Sequence, residues 1–442
     1  MGRRSHAQRL DASTWPAPPP AVVPADRLPA QPVLPRVKVL HVITRFWAGA
    51  GGNTLLSAVG MDPDRYETWI AGCPGGPLWE RADRAGVGTV QLRRFREVLS
   101  PVDDIYVLVQ LIRLIRRERF AIVHTHSAKG GFLGRLAAWL CRTPVIVHTF
   151  HGFSVHDFMS RRKRRSYLLL ERAVRRPTHA FFAVSPRVAR EAVELRLAPP
   201  GTVSVVPSAV ELDDSLLQGP GSSLRELLGV PNGAPLVGTV GRIDQQKAPL
   251  DFVRMAALVA RTHPATRFVM VGEGPLEEQV RQEADRLGVA VQLTGFRSDA
   301  PRLAAELDVF VISSLYEGLG RALTEALGTG RPVVATAVNG VPDLVTPGAT
   351  GLLAPPAAPD ALAECVRWML DHPAEARRLG EQGRARVLAT FEPAVMCRLL
   401  DRGYARLLGL PEPDDQLTAP PLDGTNGHRR DAEEQVVLDL AD

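Results

Sequence analysis

The chain has 442 residues, 45% of them hydrophobic, and a formal net charge of +5 at pH 7, enough to build two or three domains with substantial cores. Its four cysteines, Cys73, Cys141, Cys365 and Cys397, lie far apart with no CxxC pair, which excludes a disulfide framework or zinc cluster and fits a reducing cytosol. The first residues lack an apolar core of signal-peptide length and no run of roughly 18 apolar residues occurs, so the expectation is a soluble protein without a spanning helix.

Residues 1–35, with eight prolines from position 11 onward, read as a disordered extension. A first domain is predicted over 36–207. It opens on the strand VKVLHVIT and the loop RFWAGAGGNT, where Gly51 and Gly52 would permit positive φ and close approach of a ligand. The runs AIVHTH and PVIVHTF are further strands, each ending in histidine and then glycine. His124 and His126 alternate and so share a face, but no carboxylate accompanies them and no metal is expected. Lys129, in HSAKGG, is read as a loop residue facing a cleft.

The cluster Arg161, Arg162, Lys163, Arg164 and Arg165 begins a basic amphipathic stretch. Basic residues outnumber acidic ones about three to one between Arg81 and Arg176, which suits an anionic membrane surface. Nucleic acid is not expected, because no recognition motif or aromatic platform accompanies the charge. Pro and Gly punctuation over 208–234 reads as an interdomain linker.

A second domain is predicted over 235–390. It opens on PLVGTVGR, continues through a loop with Arg242 and Lys247 and the helical stretch PLDFVRMAALVAR, and adds the strands RFVMVGEGP, AVQLTGF, DVFVISS and RPVVATAV. A last helix is expected over 391–409 and a disordered acidic tail over 410–442. Strands alternating with helical patterns indicate parallel sheets, hence an α/β chain of two Rossmann-like domains. Ligands bind beyond the carboxyl ends of such strands, so the chemistry is expected in the cleft between the domains.

The segment ISSLYEGLGRALTEALGTG is the most telling. A strand gives way to a turn with Glu317, Gly318, Leu319 and Gly320, then to a helix carrying Glu325. The free N–H groups and positive dipole end of that helix favour phosphate or sugar hydroxyls. Two acceptor carboxylates beside such donors suit a nucleotide sugar.

The motifs GAGG, HTHSAKGGFLGRLAAWL, HTFHGF, VSPRV, VVPSAVELD, GRIDQQKAPL, VGEGPL, LTGF, YEGLGRALTEALGTGRPVVAT, NGVPDLV and TGLL, in this order, resemble the retaining glycosyltransferases of family four, which have the GT-B fold. The likeness spans 36 to about 409. It implies a metal-independent hexosyltransferase without a cofactor, taking a nucleotide-diphosphate sugar, a UDP-sugar favoured, as co-substrate. Arg242 and Lys247 resemble the basic pair on the donor diphosphate, Gly318, Leu319 and Gly320 the backbone donors beside it, and Glu325 the ribose ligand. Glu317 resembles the carboxylate beside the sugar, His151 the active-site histidine, and Gly51 and Gly52 the loop near the donor phosphate. The final helix resembles one that crosses back onto the first domain.

The family's Asn and Gly after the interdomain strand are here Ser208 and Ala209. Its paired glycines before the proline are Asn339 and Gly340, and its following Glu is Asp343. The acceptor is expected to be a lipid-linked glycan in envelope or exopolysaccharide assembly, with the protein cytoplasmic or peripheral on the inner face of the cell membrane. A natural-product transferase with a small soluble acceptor, a GT-B nucleotide-sugar epimerase and a non-catalytic donor-binding subunit remain as alternatives.

Overall fold

The computed structural model describes residues 36–412, apart from 48, 154–158, 213–222 and 298. The expected extension, nearly all of the expected tail and the middle of the expected linker therefore lie outside the described residues.

Apolar, β-branched runs make two parallel sheets. The first holds β1 (Val37–Arg45), β2 (Tyr66–Cys73), β3 (Gly88–Gln91), β4 (Ile122–His126), β5 (Val145–Phe150), β6 (Ala180–Ala183) and β7 (Val203–Val205), in the order β3-β2-β1-β4-β5-β6-β7. The second holds β8 (Leu236–Val240), β9 (Arg267–Val271), β10 (Val291–Leu293), β11 (Val309–Ile312), β12 (Val333–Thr336) and β13 (Leu352–Ala354), in the order β10-β9-β8-β11-β12-β13. Sequence reading found β1, β4, β5 and most of the second sheet. It missed β2, β3 and β6: YETWIAGC mixes polar and apolar residues without clean alternation, GTVQ begins and ends on non-apolar residues, and AFFA has no β-branched residue.

In each sheet the winding reverses beside its first strand, between β1 and β4 and between β8 and β11. Strand ends splay apart there and leave a crevice. The loops after β8 and β11, GRIDQQK and SSLYEG, are thereby brought side by side. Leu315 N donates to Gln246 O over 2.8 Å, and Gln246 Nε2 donates to Tyr316 O over 3.1 Å.

One face of the first sheet is covered by the helix Pro393–Leu408, which returns from the end of the second domain. Val39, Ile122, Val145, Val147 and Phe182 pack there with Met396, Leu400 and Tyr404. Polar bonds fix its register: Tyr66 OH donates to Asp401 Oδ1 over 2.6 Å, Arg65 Nη1 donates to Asp401 Oδ2 over 2.9 Å, and Tyr404 OH lies 2.5 Å from His124 Nδ1. Asp401→Ala would leave the buried Tyr66 hydroxyl unpaired. It is expected to cost about 1–3 kcal/mol, read as a lower urea midpoint with an unchanged m-value.

Candidate active site

The turn after β8 is built on local capping. Asp244 accepts from Lys247 N and closes the 3-10 turn Gln245–Lys247, which aims the Lys247 side chain at the end of β11. There Lys247 Nζ pairs with Glu317 Oε1. The same carboxylate oxygen accepts from Ser314 Oγ over 2.9 Å. Ser313 Oγ in turn donates to Lys247 O over 2.8 Å, so two adjacent serines clamp the lysine turn and the glutamate. Arg242 stands on the same loop but faces outward. Its side chain is 60% exposed and lies 3.0 Å from Asp244. The expected basic pair is therefore unequal: Lys247 is held in the site by Glu317, and Arg242 stands at its rim.

The glycine turn has no room for side chains. A Cβ on Gly318 would fall on the His151 carbonyl oxygen, and one on Gly152, at φ +131°, would approach Gly318 Cα to 2.9 Å. A Cβ on Gly340 would in turn strike the Gly318 carbonyl. Three loops from both domains thus meet backbone to backbone. Leu319 is buried in the apolar cluster that joins Phe150 and Phe181 of the first domain to Phe310 and Leu323 of the second. Gly320, at φ +90°, caps the helix Arg321–Gly328.

Glu325 sits in that helix as expected, with a partner that sequence reading missed. Arg321 Nε donates to Glu325 Oε1 over 2.8 Å. The arginine reaches across to the first domain, where a Cβ on Gly52 would lie 2.6 Å from Arg321 Nη1. The Arg321/Glu325 spacing of four was visible in the sequence as a helical ion pair. What it could not reveal was the glycine opposite. Burial raises the Glu325 carboxyl above the ordinary glutamate value, and the Arg321 charge beside it opposes that shift.

Two expectations for the first domain need correction. Gly51 and Gly52 lie in the first turn of the helix Ala50–Val59, and the positive φ falls on Gly49, at +65°. They are small because Phe46 and Arg321 press on them, not because the chain turns there. Lys129 is likewise helical, in Ala128–Leu140, and its side chain is only 7% exposed. It pairs with Asp104 at 2.5 Å and donates to Val98 O over 2.7 Å, so it clamps a neighbouring helix and does not face the cleft.

The departures from the family pattern acquire roles. Asn339, at φ +39°, accepts from Glu317 N over 3.0 Å and donates through Nδ2 to Glu191 Oε2 of the first domain over 3.0 Å. Asn is among the few side chains that tolerate this left-handed backbone. Asp343 accepts from Arg187 N over 2.7 Å, at the start of the helix Pro186–Glu194. Ser208 Oγ and Ala209 N both donate to Asn53 Oδ1, over 3.0 and 2.9 Å. Asn339 and Asp343 thus join the two domains, and Ser208 ties the linker to the first.

Behind the cleft lies a cluster of imidazoles. His151 Nε2 is 2.9 Å from His126 Nδ1, and His126 Nε2 is 3.0 Å from His41 Nδ1. His124 and His126 share a face, as alternation predicts, with ring centroids 4.3 Å apart. His41, His124 and His126 bring nitrogens within 4.8 Å of one another, but both nitrogens of His124 and of His126 already face hydrogen-bonding partners. Burial pushes His41 down to about 3 and His151 to about 4, and holds His124, His126 and His148 well below the ordinary histidine value.

Along the first domain, the helices Pro101–Glu118, Ala128–Leu140 and Arg161–Ala173 pack side by side. Arg161, Arg162 and Arg165 are exposed, and an open concavity of about 390 Å³ is lined by Arg161, Arg164, Arg165, Leu168, Leu169 and Arg172. The Lys163 side chain lies outside the described residues. Sequence reading missed an exposed apolar stretch two helices away: Val98, Leu99, Val102, Ile105, Tyr106 and Val109 are all exposed, Val98 at 76% and Val102 at 72%. The stripe at 102, 105, 106 and 109 has helical spacing and faces away from the core. Among the described residues no helix is long and apolar enough to cross a membrane.

Comparison with known proteins decides the family. The model for glycosyl transferases group 1 matches residues 223–386, and that for Glycosyltransferase Family 4 matches 58–214. The UDP-Gal:alpha-D-GlcNAc-diphosphoundecaprenol alpha-1,3-galactosyltransferase of Escherichia coli is 32% identical over 312 residues, covering 69% of this chain and 80% of that protein. The chain belongs to glycosyltransferase family four. The 2-deoxystreptamine N-acetyl-D-glucosaminyltransferase of Streptomyces fradiae is 32% identical over 310 residues, 64% of this chain and 73% of that one. The Anabaena protein Alr3699/HepE, solved with UDP and glucose, superposes with a TM-score of 0.71 at 18% identity, covering 84% of this chain and all of that one. Its likeness establishes the fold: this family-four glycosyltransferase has the GT-B architecture of two Rossmann-like domains.

The histidine cluster makes the transferase acid-sensitive in a defined window. These rings are neutral in the fold, whereas in the unfolded chain they bind protons below the ordinary value of 6.5. Unfolding therefore takes up protons, and stability falls as pH drops from about 6.5 toward 4, by up to about 1.4 kcal/mol per pH unit for each ring titrating. Urea midpoints measured between pH 7 and 5 are expected to decline steadily; a flat profile would exclude neutral burial of the cluster.

Proposed function

We propose that the protein is a retaining, metal-independent hexosyltransferase that moves a sugar from a nucleotide-diphosphate donor, a UDP-sugar favoured, to a hydroxyl of a lipid-linked glycan. The observation that carries this reading is the joint of Lys247, Glu317 and the glycine turn, set at the start of a helix and pressed against His151. Lys247 has three N–H donors and gives one to Glu317, so two remain for diphosphate oxygens. Arg242 at the rim and the N–H groups of Gly318, Leu319 and Gly320 add positive potential where the leaving group gathers charge. Glu325 takes the ribose hydroxyls, held in place by Arg321. Glu317 orients the sugar, and His151 faces it from the first domain.

In the step proposed, the bond from the anomeric carbon to the diphosphate oxygen breaks and its electron pair leaves with the diphosphate. The acceptor oxygen bonds to the anomeric carbon on the same face, and its proton passes to a departing phosphate oxygen. Cationic side chains and backbone N–H groups take the part a metal plays elsewhere, and no cofactor is required.

The acceptor side is supported by the basic helix and the exposed apolar stripe, which together suit an anionic lipid surface, and by the E. coli relative, whose name specifies a diphosphoundecaprenol acceptor. On this reading the enzyme works as a peripheral protein on the cytoplasmic face, in envelope polysaccharide assembly. A small soluble acceptor is the second reading, supported by the S. fradiae relative, which is named for 2-deoxystreptamine.

Purified protein with a panel of UDP, GDP and ADP sugars should release nucleoside diphosphate slowly from one donor, unaffected by EDTA. Interconversion of sugars without release would mean an epimerase, and binding without turnover a non-catalytic subunit. Glu325→Ala is expected to raise the donor KM about ten- to a hundredfold, the worth of hydrogen bonds to a charged group. Lys247→Ala should lower kcat by about 10²–10³. Anionic vesicles should bind the protein in a salt-sensitive way that Val102→Asp and Arg165→Glu each weaken; binding that neither variant changes would favour the soluble acceptor.

A further inference from the structure

Three imidazoles form a continuous chain from the floor of the first sheet to the cleft. His41 Nδ1 faces His126 Nε2 at 3.0 Å, and His126 Nδ1 faces His151 Nε2 at 2.9 Å. His41 on β1 and His126 on β4 are fully buried, with their rings stacked 5.3 Å apart at 16°. His124 does not join the chain, because its nitrogens face Tyr404 and Thr149. Burial holds all three rings neutral.

A neutral imidazole has one N–H and one lone pair. His126 has both nitrogens committed, so it accepts from one ring and donates to the other. Only two proton arrangements then fill both links. In the inward arrangement each ring is protonated on Nε2, and His41 buries an N–H. In the outward arrangement each ring is protonated on Nδ1, and His41 buries only a lone pair at Nε2. That atom is buried without a partner among the described residues. Folded interiors rarely strand a buried N–H and more readily tolerate an under-used acceptor, which selects the outward arrangement.

We propose that His41 and His126 are positioning residues that hold His151 in its Nδ1–H form, so that it presents a hydrogen-bond donor to an oxygen of the bound sugar nucleotide. The proposal rests on the cleft being the donor site. Neither upstream ring touches substrate; each acts by fixing which nitrogen of the next ring carries the proton. An isolated histidine at position 151 would be free to present either a donor or an acceptor, and half of that freedom is unproductive. The buried rings remove it before the donor arrives.

The test is two-bond proton–nitrogen correlation NMR of the full chain labelled with ¹⁵N-histidine, with His151 assigned by its loss in His151→Asn. In the unsubstituted protein, His151 is expected to show a protonated Nδ1 and a bare Nε2. In His41→Phe, His126 can reverse, so His151 should become a mixture of forms and kcat for nucleoside diphosphate release should fall about tenfold, with little change in donor KM. His41→Asn, whose amide can donate from near the Nδ1 position, should restore the Nδ1–H signature and most of kcat. Should His41→Phe not fold, His126→Asn offers the same comparison, since its amide can donate to His151 Nε2 directly and should keep the signature. An Nε2-protonated His151 in the unsubstituted protein would overturn the proposal, and so would a lower kcat in His41→Phe with the His151 tautomer unchanged. The NMR readout needs no substrate: the expected tautomer in a protein that binds no sugar nucleotide would instead sink the donor-site reading.

Discussion

The site depends on three glycines that let three loops touch through their backbones. Gly152, Gly318 and Gly340 interlock so closely that a methyl group on any of them would meet another loop's main chain. Each follows a side chain placed at the cleft: His151, Glu317 and Asn339. The missing Cβ and the functional group are thus consecutive in sequence, and the contact that joins the domains also sets where those groups point. Asn339 bonds Glu317 N with one end of its amide and Glu191 of the first domain with the other, in the same joint.

Charge in the cleft is arranged in pairs. Lys247 answers Glu317, Arg321 answers Glu325, and Arg242 answers Asp244. Pairing of this kind removes the cost of desolvating a lone ion and fixes each head group before any ligand arrives. It also means that few side chains have to reorganise on binding. The Ser313 and Ser314 hydroxyls carry the same logic inward, holding the lysine turn and the glutamate with neutral bonds.

Much of this was legible in the sequence. Continuous β-branched runs such as VFVI announced buried parallel strands, and the break from strand to glycine turn to helix at 313–321 marked the loop that meets the first domain, because both are local patterns. The strands β3 and β6 were not legible, since GTVQ begins with glycine and ends with glutamine and AFFA has no β-branched residue. Lys129 was misplaced because a lysine after HSA reads equally well as a loop or as a helix start, and only the distant Asp104 decides between them. Gly51 and Gly52 were found for the wrong reason: sequence shows that a side chain is absent, while the Arg321 that requires its absence lies 269 positions away. The histidines were visible as an alternating set, but their order as a chain depends on β1 lying next to β4, a property of topology and not of any one segment.

The returning helix Pro393–Leu408 has a consequence for how the chain is made. It covers a face of a sheet whose own strands end at Val205, through Asp401 on Arg65 and Tyr66 and through Tyr404 on His124. During synthesis the first domain's strands emerge nearly two hundred residues before the helix that seals them, and at ordinary elongation rates that is an interval of roughly ten to forty seconds. Through that interval Val39, Ile122, Val145 and Val147 have no permanent cover. The earliest part of the protein to be made is therefore the last to be finished, and the ribosome must hand over a half-clad sheet to the second domain.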